Sequence, residues 1–396
     1  MTTKTVAELL SQDVTLQDVT VKGWVRTFRA NRFIALNDGS TINNIQCVVD
    51  FENFDEALLK RVNTGAAIHV TGELVESQGK GQSVEIVVKS LEVLGDSDPE
   101  TYPIQPKKHS FEFLRENAHL RTRTNTFSAV MRLRSSLSFA IHKYFNDNGF
   151  FYMHTPIITG SDAEGAGETF RVTSLDPKIT PLNEEGDVNY KEDFFGKETN
   201  LTVSGQLEAE TYAMSLGKVY TFGPTFRAEN SNTSRHLSEF WMVEPEMAFC
   251  DLEGNMDLAE EMIKHLTSFI LEACNEDIEL FAKFVDKTLL KTLNNVAGSV
   301  FERLLYADAV KILKKSGKKF KYDIDFGKDL QTEHERYLTE DYFKKPLIVF
   351  DYPKNIKPFY MRLNEDHQTV SAMDVLVPRI GEIIGGSQRD IPFTAP

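Results

Sequence analysis

Cysteine is scarce in this chain: of 396 residues only Cys47, Cys250 and Cys274 are cysteines. Their odd number and the lack of any CxxC spacing argue against a disulfide framework and against a cysteine-based zinc site. They favour reduced thiols in the cytoplasm. Long apolar runs are missing too. No stretch approaches the roughly 20 apolar residues that a bilayer crossing requires, and Met1 to Gln12 has neither the basic start nor the apolar core of a secretion signal. Positive charge is in deficit, with 44 Lys and Arg against 59 Asp and Glu and a formal net charge of -15. That sum disfavours a nucleic-acid partner, because phosphate contacts need Lys and Arg, yet local distribution decides where a polyanion lies. In one place it is acid that is missing. Between Asp18 and Asp38 there is none, while Lys22, Arg26, Arg29 and Arg32 are interleaved with Trp24, Phe28 and Phe33.

What is present suits a globular protein of two or three domains, 41% hydrophobic and 26% charged. Val19–Val25, Phe33–Leu36, Ile45–Val49, Ala67–Leu74 and Ser83–Leu94 are rich in β-branched and aromatic residues, and turn signals such as Asp38-Gly39 separate them. Five strands in so short a span predict a small closed barrel of the OB type, which binds oligonucleotides with a basic groove and exposed rings. Phe33 is the ring best placed for that. A polar linker follows at residues 96–100. Residues 127–148 then predict an amphipathic helix, with Val130, Leu133, Leu137, Ile141, Tyr144 and Phe145 on one stripe and Gly149 as its stop. A strand from Phe150 to Met153 comes next. Residues 172–198 read as a polar surface insertion, and helical patterns dominate from Asp251 to about Tyr337. Glu333-His334-Glu335 reads as a solvated surface cluster, because three consecutive positions on a helix do not face one ion.

The residues that carry chemistry lie in three segments. On a strand through Thr221–Glu229, Arg227 and Glu229 share a face. The guanidinium suits an α-phosphate and the carboxylate an ammonium or amide; an ordinary ion pair is the plainer alternative. On the returning strand Glu244, Glu246 and Phe240 share one parity, and Trp241, Val243, Met247 and Phe249 share the other, which is expected to pack against helices. Asp162–Gly167 is a glycine-rich loop bearing Glu164, suited to closing over an amino group. Ser204 and Gln206, two apart on an expected strand Leu201–Leu207, face one way. Asp374 and Glu382 lie across an expected hairpin, where a shared Mg²⁺ would offset the cost of the acids. A metal-free pairing of Glu382 with Arg389 or Arg362 remains open.

The phrases GWVRTFR, AHLRTRTN, SDAEGAGETF, TVSGQL, YTFGPTFRAENSNTSRHLSEFWMVEPEMAF and GEIIGGSQR together resemble the asparaginyl-tRNA synthetases, from about residue 15 to 389. The resemblance implies an α+β protein: an anticodon-binding OB-fold barrel at 1–100, a linker at 101–125, and a class II catalytic domain at 126–396. In that domain an antiparallel sheet is flanked by helices, with a helical insertion at about 251–345. It implies ATP and Mg²⁺ as cofactors, asparagine and tRNA(Asn) as substrates, no membrane, and a homodimer formed through residues 127–156. By the same resemblance Arg227 and Glu229 would meet the α-phosphate and the substrate, and Arg235, His236, Leu237 and Phe240 would surround the nucleotide. Glu382, with Asp374, would hold the metal. Glu164, Ser204 and Gln206 would orient the α-amino group, and Arg389 with Glu229 would grip the side-chain amide. Phe33, Gln46, Arg26 and Arg29 would face the anticodon. In the sister aspartyl family a lysine typically stands where this chain has Ala209, which favours asparagine over aspartate. The sequence departs from the family after Arg389, where a third signature of the GxGxGxER type is expected and Asp390–Pro396 stands instead. Either the sequence as given omits a stretch there or the chain is truncated; a true loss would cripple ATP-dependent activation, so a non-catalytic tRNA-binding paralogue is the second reading, and an aspartyl-type or aspartate-amidating protein the third.

Overall fold

The computed structural model describes residues 3–12, 16–79, 81–161, 168–230 and 236–389. In chain order its helices are α1 (Val6–Leu10), α2 (Glu56–Lys60), α3 (Phe111–Glu116), α4 (Asn125–Asp147), α5 (Gln206–Leu216), α6 (Leu252–Ala273), α7 (Asn275–Phe284), α8 (Leu289–Gly298), α9 (Tyr306–Lys315) and α10 (Thr332–Arg336). The chain divides into two compact units, one of Met1–Ser136 with Glu272–Leu290, the other of Leu137–Leu271 with Lys291–Pro396. No described helix is long and apolar enough to cross a membrane.

In the first unit β1 (Leu16–Arg29), β2 (Phe33–Asn37), β3 (Ile45–Val48), β4 (Ala67–Glu76) and β5 (Val84–Gly95) close a barrel in the order β1-β2-β3-β5-β4. Strict alternation explains it. Ile34, Leu36, Ile45, Cys47, Ile68, Val70 and Ile86 point inward and are fully buried, each worth about 2 kcal/mol of apolar transfer. Burial also pushes the Cys47 thiol up to about 12, so it stays protonated. Gly72 sits at a register shift of β4, where a Cβ would come 2.2 Å from the Val87 carbonyl oxygen. The segment 272–290 joins this unit through polar contacts. Glu276 on α7 accepts from Thr41 and Asn43, and Asp277 pairs with Arg132 through two hydrogen bonds of 2.6 and 3.0 Å.

Among the described residues the second unit holds three sheets. β6 (Phe151–Tyr152), β10 (Lys218–Phe226) and β11 (Glu239–Met247) form one, in the order β11-β10-β6; β7 (Ile158–Thr159), β8 (Arg171–Val172) and β9 (Thr199–Leu201) form a small second. β12 (Glu302–Leu305), β13 (Leu347–Pro353), β14 (Thr369–Val377) and β15 (Gly381–Ser387) form the third. Helix α6 serves two cores. Its Met262, Leu258 and Leu266 meet Ile141, Tyr144, Phe145 and Tyr220, and its Met256 and Ala259 meet Ile348, Met373 and Val375. Phe145 stacks on Tyr220 with centroids 4.5 Å apart.

Several expectations need correction. The stretch read as helical contains β12, which pairs in parallel with β13; four residues are too few to betray a non-local strand among helical neighbours. Among the described residues β11 and β15 are edge strands of the two larger sheets of this unit. Val243 and Met247 pack against the helices as expected, but Trp241 and Phe249 are exposed. Phe249 lies beyond the strand in a left-handed conformation that breaks the alternation.

Candidate active site

The floor of the site is the β10–β11 pair, in which Thr221 stands opposite Glu244. The Glu244 carboxylate accepts from Ser204 Oγ at 2.5 Å, from the Gly205 amide at 3.1 Å and from Thr221 Oγ1 at 2.8 Å. Residues 201–207 are not the expected strand. β9 ends at Leu201, Gly205 turns the chain, and Gln206 opens α5. Ser204 Oγ accepts from the Gln206 amide at 3.0 Å, which satisfies the first amide of the helix, while it donates to Glu244. A side chain at position 205 would press on Thr155 and Thr221, at 2.8 and 3.0 Å. The turn brings Ser204 against Glu244 of the strand floor, while the Gln206 side chain reaches Glu210 on α5.

Arg389 is the centre of a second constellation. Its Nε donates to Glu210 at 2.8 Å and its Nη2 to Glu246 at 3.2 Å, while Nη1 donates to Ser387 and the guanidinium lies 5.0 Å from the Tyr360 ring. Gln206 Nε2 also donates to Glu210, at 2.9 Å. Burial pushes the Glu246 carboxyl up to about 7 against the pull of Arg389, and the charges of Glu210 and Glu244 add to the rise. Glu210 is absent from the sequence reading. Taking Gln206 as the first residue of a helix would have found it, since positions four apart share a helix face.

Arg227 continues the β10–β11 ladder by one bond, its amide reaching the Ser238 oxygen. Its Nη2 donates to the Val203 carbonyl at 3.4 Å, and its guanidinium lies 5.6 Å from the Phe240 ring. Glu229 does not share the strand face predicted for it: β10 ends at Phe226 and Glu229 lies exposed in the coil beyond. His236 and Leu237 are exposed just before β11. Arg235 and Glu164 lie outside the described residues.

Asp374 and Glu382 are brought together, though not by the simple hairpin expected. Asp374 stands opposite Gly385 and Glu382 opposite Leu376, with a register shift at Val375/Leu376 that skips Ile383. Without it Glu382 and Gly385 would face opposite ways; the bulge re-aims Glu382. A Cβ on Gly385 would lie 3.4 Å from Glu382 Oε1 and 3.6 Å from Asp374 Oδ1, so both carboxylates border one point. Asp374, 7% exposed, is also held by Lys357 Nζ at 2.9 and 3.0 Å. Burial, then the Asp374 charge, push the neighbouring Tyr352 hydroxyl well above the usual phenol range. Glu335 accepts from the Glu382 amide at 3.3 Å. The solvated cluster expected at 333–335 is overturned, because His334 is 0% and Glu335 6% exposed. His334 contacts the Tyr322 carbonyl and Glu335 the β15 backbone, uses that spacing alone does not reveal. Arg389 directs its donors to Glu210, Glu246 and Ser387. Among the described residues no three His, Cys, Asp or Glu side chains are grouped to hold a metal ion. The pair's oxygen donors nonetheless suit a hard cation that takes further ligands from phosphate and water.

In the first unit, β1–β2 and β2–β3 pairing sets Arg29 opposite Phe33 and Ala35 opposite Gln46, all on the outer face of the barrel. Gln46 Nε2 donates to Glu85 at 2.9 Å, which fixes its amide, and Arg32 lies 5.7 Å from the Phe33 ring. Arg26 is diverted. It falls at a register shift of β1, and its guanidinium donates to the Arg123 carbonyl and, at 2.9 Å, to Asn125 Oδ1.

Comparison with known proteins gives the arrangement a context. Residues 110–392 match the family described as tRNA synthetases class II (D, K and N), and residues 19–94 match the OB-fold nucleic acid binding domain. The chain is 57% identical to the asparagine–tRNA ligase of Nostoc sp., over 98% of its own length and 85% of the relative's. It is 59% identical to the asparagine–tRNA ligase of Cytophaga hutchinsonii, over 97% and 84%. Among solved structures it resembles the Pyrococcus horikoshii asparaginyl-tRNA synthetase complexed with asparaginyl-adenylate, with a TM-score of 0.83 and 30% identity over 98% of this chain and 84% of that one.

Proposed function

The chain belongs to the class II tRNA synthetases, and within them to the asparagine–tRNA ligases; from that premise we propose which of its residues activate asparagine and how. The family's reaction uses ATP and, typically, a divalent metal. What supports the assignment is the β10–β11 floor, which carries Glu244 with its network and Glu246 with its Arg389 pairing, and beyond whose end Arg227 follows.

Arg227 holds the ATP α-phosphate through its paired N–H groups, and the face of Phe240 takes the adenine ring, with Arg235, His236 and Leu237 around the nucleotide. Glu229 completes the contact to the substrate. Glu164, Ser204 and Gln206 orient the α-amino group, while Arg389 receives the side-chain amide. Glu382, with Asp374 beside it, would hold Mg²⁺ against the phosphate oxygens, where it supplies charge neutralisation. The asparagine carboxylate attacks the α-phosphorus, pyrophosphate leaves, and a terminal tRNA ribose hydroxyl then takes the aminoacyl group with release of AMP. No protein nucleophile is needed; positioning and electrostatics supply the rate.

On the barrel, Phe33, Gln46 and Arg29 face the anticodon of tRNA(Asn). Arg26, tied to Arg123 and Asn125, acts there only if those bonds open. A homodimer through residues 127–156 is part of the same reading, supported by the exposed Phe139 and Phe151. Cytoplasmic residence is another part, supported by three unpaired cysteines.

The test is amino-acid-dependent exchange of pyrophosphate into ATP. Asparagine is expected to support it, with aspartate far weaker. Exchange with aspartate and none with asparagine would overturn the assignment. tRNA binding without adenylate formation would favour the non-catalytic reading instead.

A further inference from the structure

We infer that Lys357 is a positioning residue that neutralises Asp374, so that the acidic pair takes up a divalent cation together with ATP and not before it. The inference rests on the reading above that Asp374 and Glu382 hold the metal. Lys357 is well set for this. It follows the turn Lys354–Ile356, into which β13 leads. Its Nζ donates to Asp374 Oδ1 at 3.0 Å and to Oδ2 at 2.9 Å, so one ammonium engages both carboxylate oxygens, and both side chains are largely withdrawn from solvent. The same ammonium lies 4.1 Å from the ring of the buried Tyr352, whose face holds it in place.

Two bare carboxylates bordering one point, as Asp374 and Glu382 do beside Gly385, would draw a hard cation from solution on their own. Glu335 brings a third acid to the Glu382 backbone amide. The Lys357 ammonium offsets the Asp374 charge and occupies its oxygens, so what remains of the pair's charge is that of Glu382. A single carboxylate is a weak ligand set for Mg²⁺, which sheds its water reluctantly and is ordinarily held with the help of substrate phosphates. Triphosphate oxygens supply what is missing, so cation and nucleotide arrive as a unit. The plainer role for Lys357 is that of a buried ion-pair partner. A purely structural pair would lose stability with Lys357 and gain no affinity for metal.

The experiment measures Mn²⁺ binding by electron paramagnetic resonance, without ATP, to the full chain, to Lys357→Met and to Lys357→Arg, with melting temperatures in the presence and absence of Mg²⁺ alongside. Lys357→Met keeps the side-chain bulk and removes the charge, and is expected to tighten ATP-free Mn²⁺ binding at least about tenfold. Its Tm is expected to fall without divalent cation and to recover with Mg²⁺, which replaces the lost positive charge. Lys357→Arg, which keeps the charge, is expected to bind Mn²⁺ as the unaltered chain does. A smaller gain for Lys357→Met, or weaker binding, would overturn the inference, and a Tm that Mg²⁺ does not restore would likewise reduce Lys357 to a structural partner of Asp374. Lys357→Gln, which can still donate to Asp374, gives the same readout if Lys357→Met does not fold. Glu382→Gln separates the premise: if the Mn²⁺ spectrum of the ATP-bound chain is unchanged by it, the acids do not hold the metal and the inference falls with that reading.

Discussion

At the scale of the residue, the Glu246 carboxyl governs two measurable slopes. It titrates near 7 in the folded protein against a reference of 4.5, with Glu210, Glu244 and Arg389 as the charges facing it. Between those values the folded chain holds a proton that the unfolded chain has released, so this group's contribution to stability falls as pH rises from about 4.5 through 7. In Glu246→Gln that slope is expected to vanish from denaturant midpoints measured across the same range. Below pH 7 the protonated acid also repels a carboxylate less, so aspartate should compete better at pH 6 than at pH 8 in exchange assays. Arg227 offers a sharper outcome. Arg227→Lys keeps the charge but not the planar fork, and kcat of exchange is expected to drop by about a hundredfold without restoration of stability as an explanation. Single residues were also where the sequence misled. Strand parity puts Glu229 on the face of Arg227, yet parity stops where the strand stops, three residues short of Glu229. The acids that meet Arg389 come from a helix and a strand far apart in sequence, and no local pattern joins them.

At the scale of the element, junctions matter more than the regular spans. All five barrel strands were legible because alternation is a local signal, and the helix at 125–147 was legible because its stripe repeats every three to four residues. The turn at Gly205 and the bulge at Ile383 were not, since each depends on a partner strand that sequence does not show. Two glycines test this. Gly72→Ala forces a Cβ onto the Val87 carbonyl and is expected to destabilise the barrel by about 2–4 kcal/mol in urea unfolding. Asparagine binding should survive it. Gly205→Ala is expected to do the opposite: modest loss of stability, but weakened asparagine binding by calorimetry, because Thr155 and Thr221 must yield beneath the Glu244 network.

At the scale of the whole molecule, a net charge of -15 coexists with a basic, aromatic strip on β1 and β2. Affinity for tRNA should therefore fall steeply as salt rises, and Phe33→Ala should weaken tRNA binding, by filter retention, while asparagine-dependent exchange stays unchanged. The two-unit division carries a related expectation. Since Asp277 pairs with Arg132 inside the first unit, a fragment ending at residue 136 loses that partner and should melt below a fragment that also supplies the 272–290 segment.

The donor that the Gly205 amide gives to Glu244 belongs to the main chain. No exchange of one side chain for another deletes a peptide N–H, and only proline removes it. That one donor is thereby kept through every exchange but proline, whereas the Ser204 and Thr221 donors to the same carboxylate are lost with their side chains.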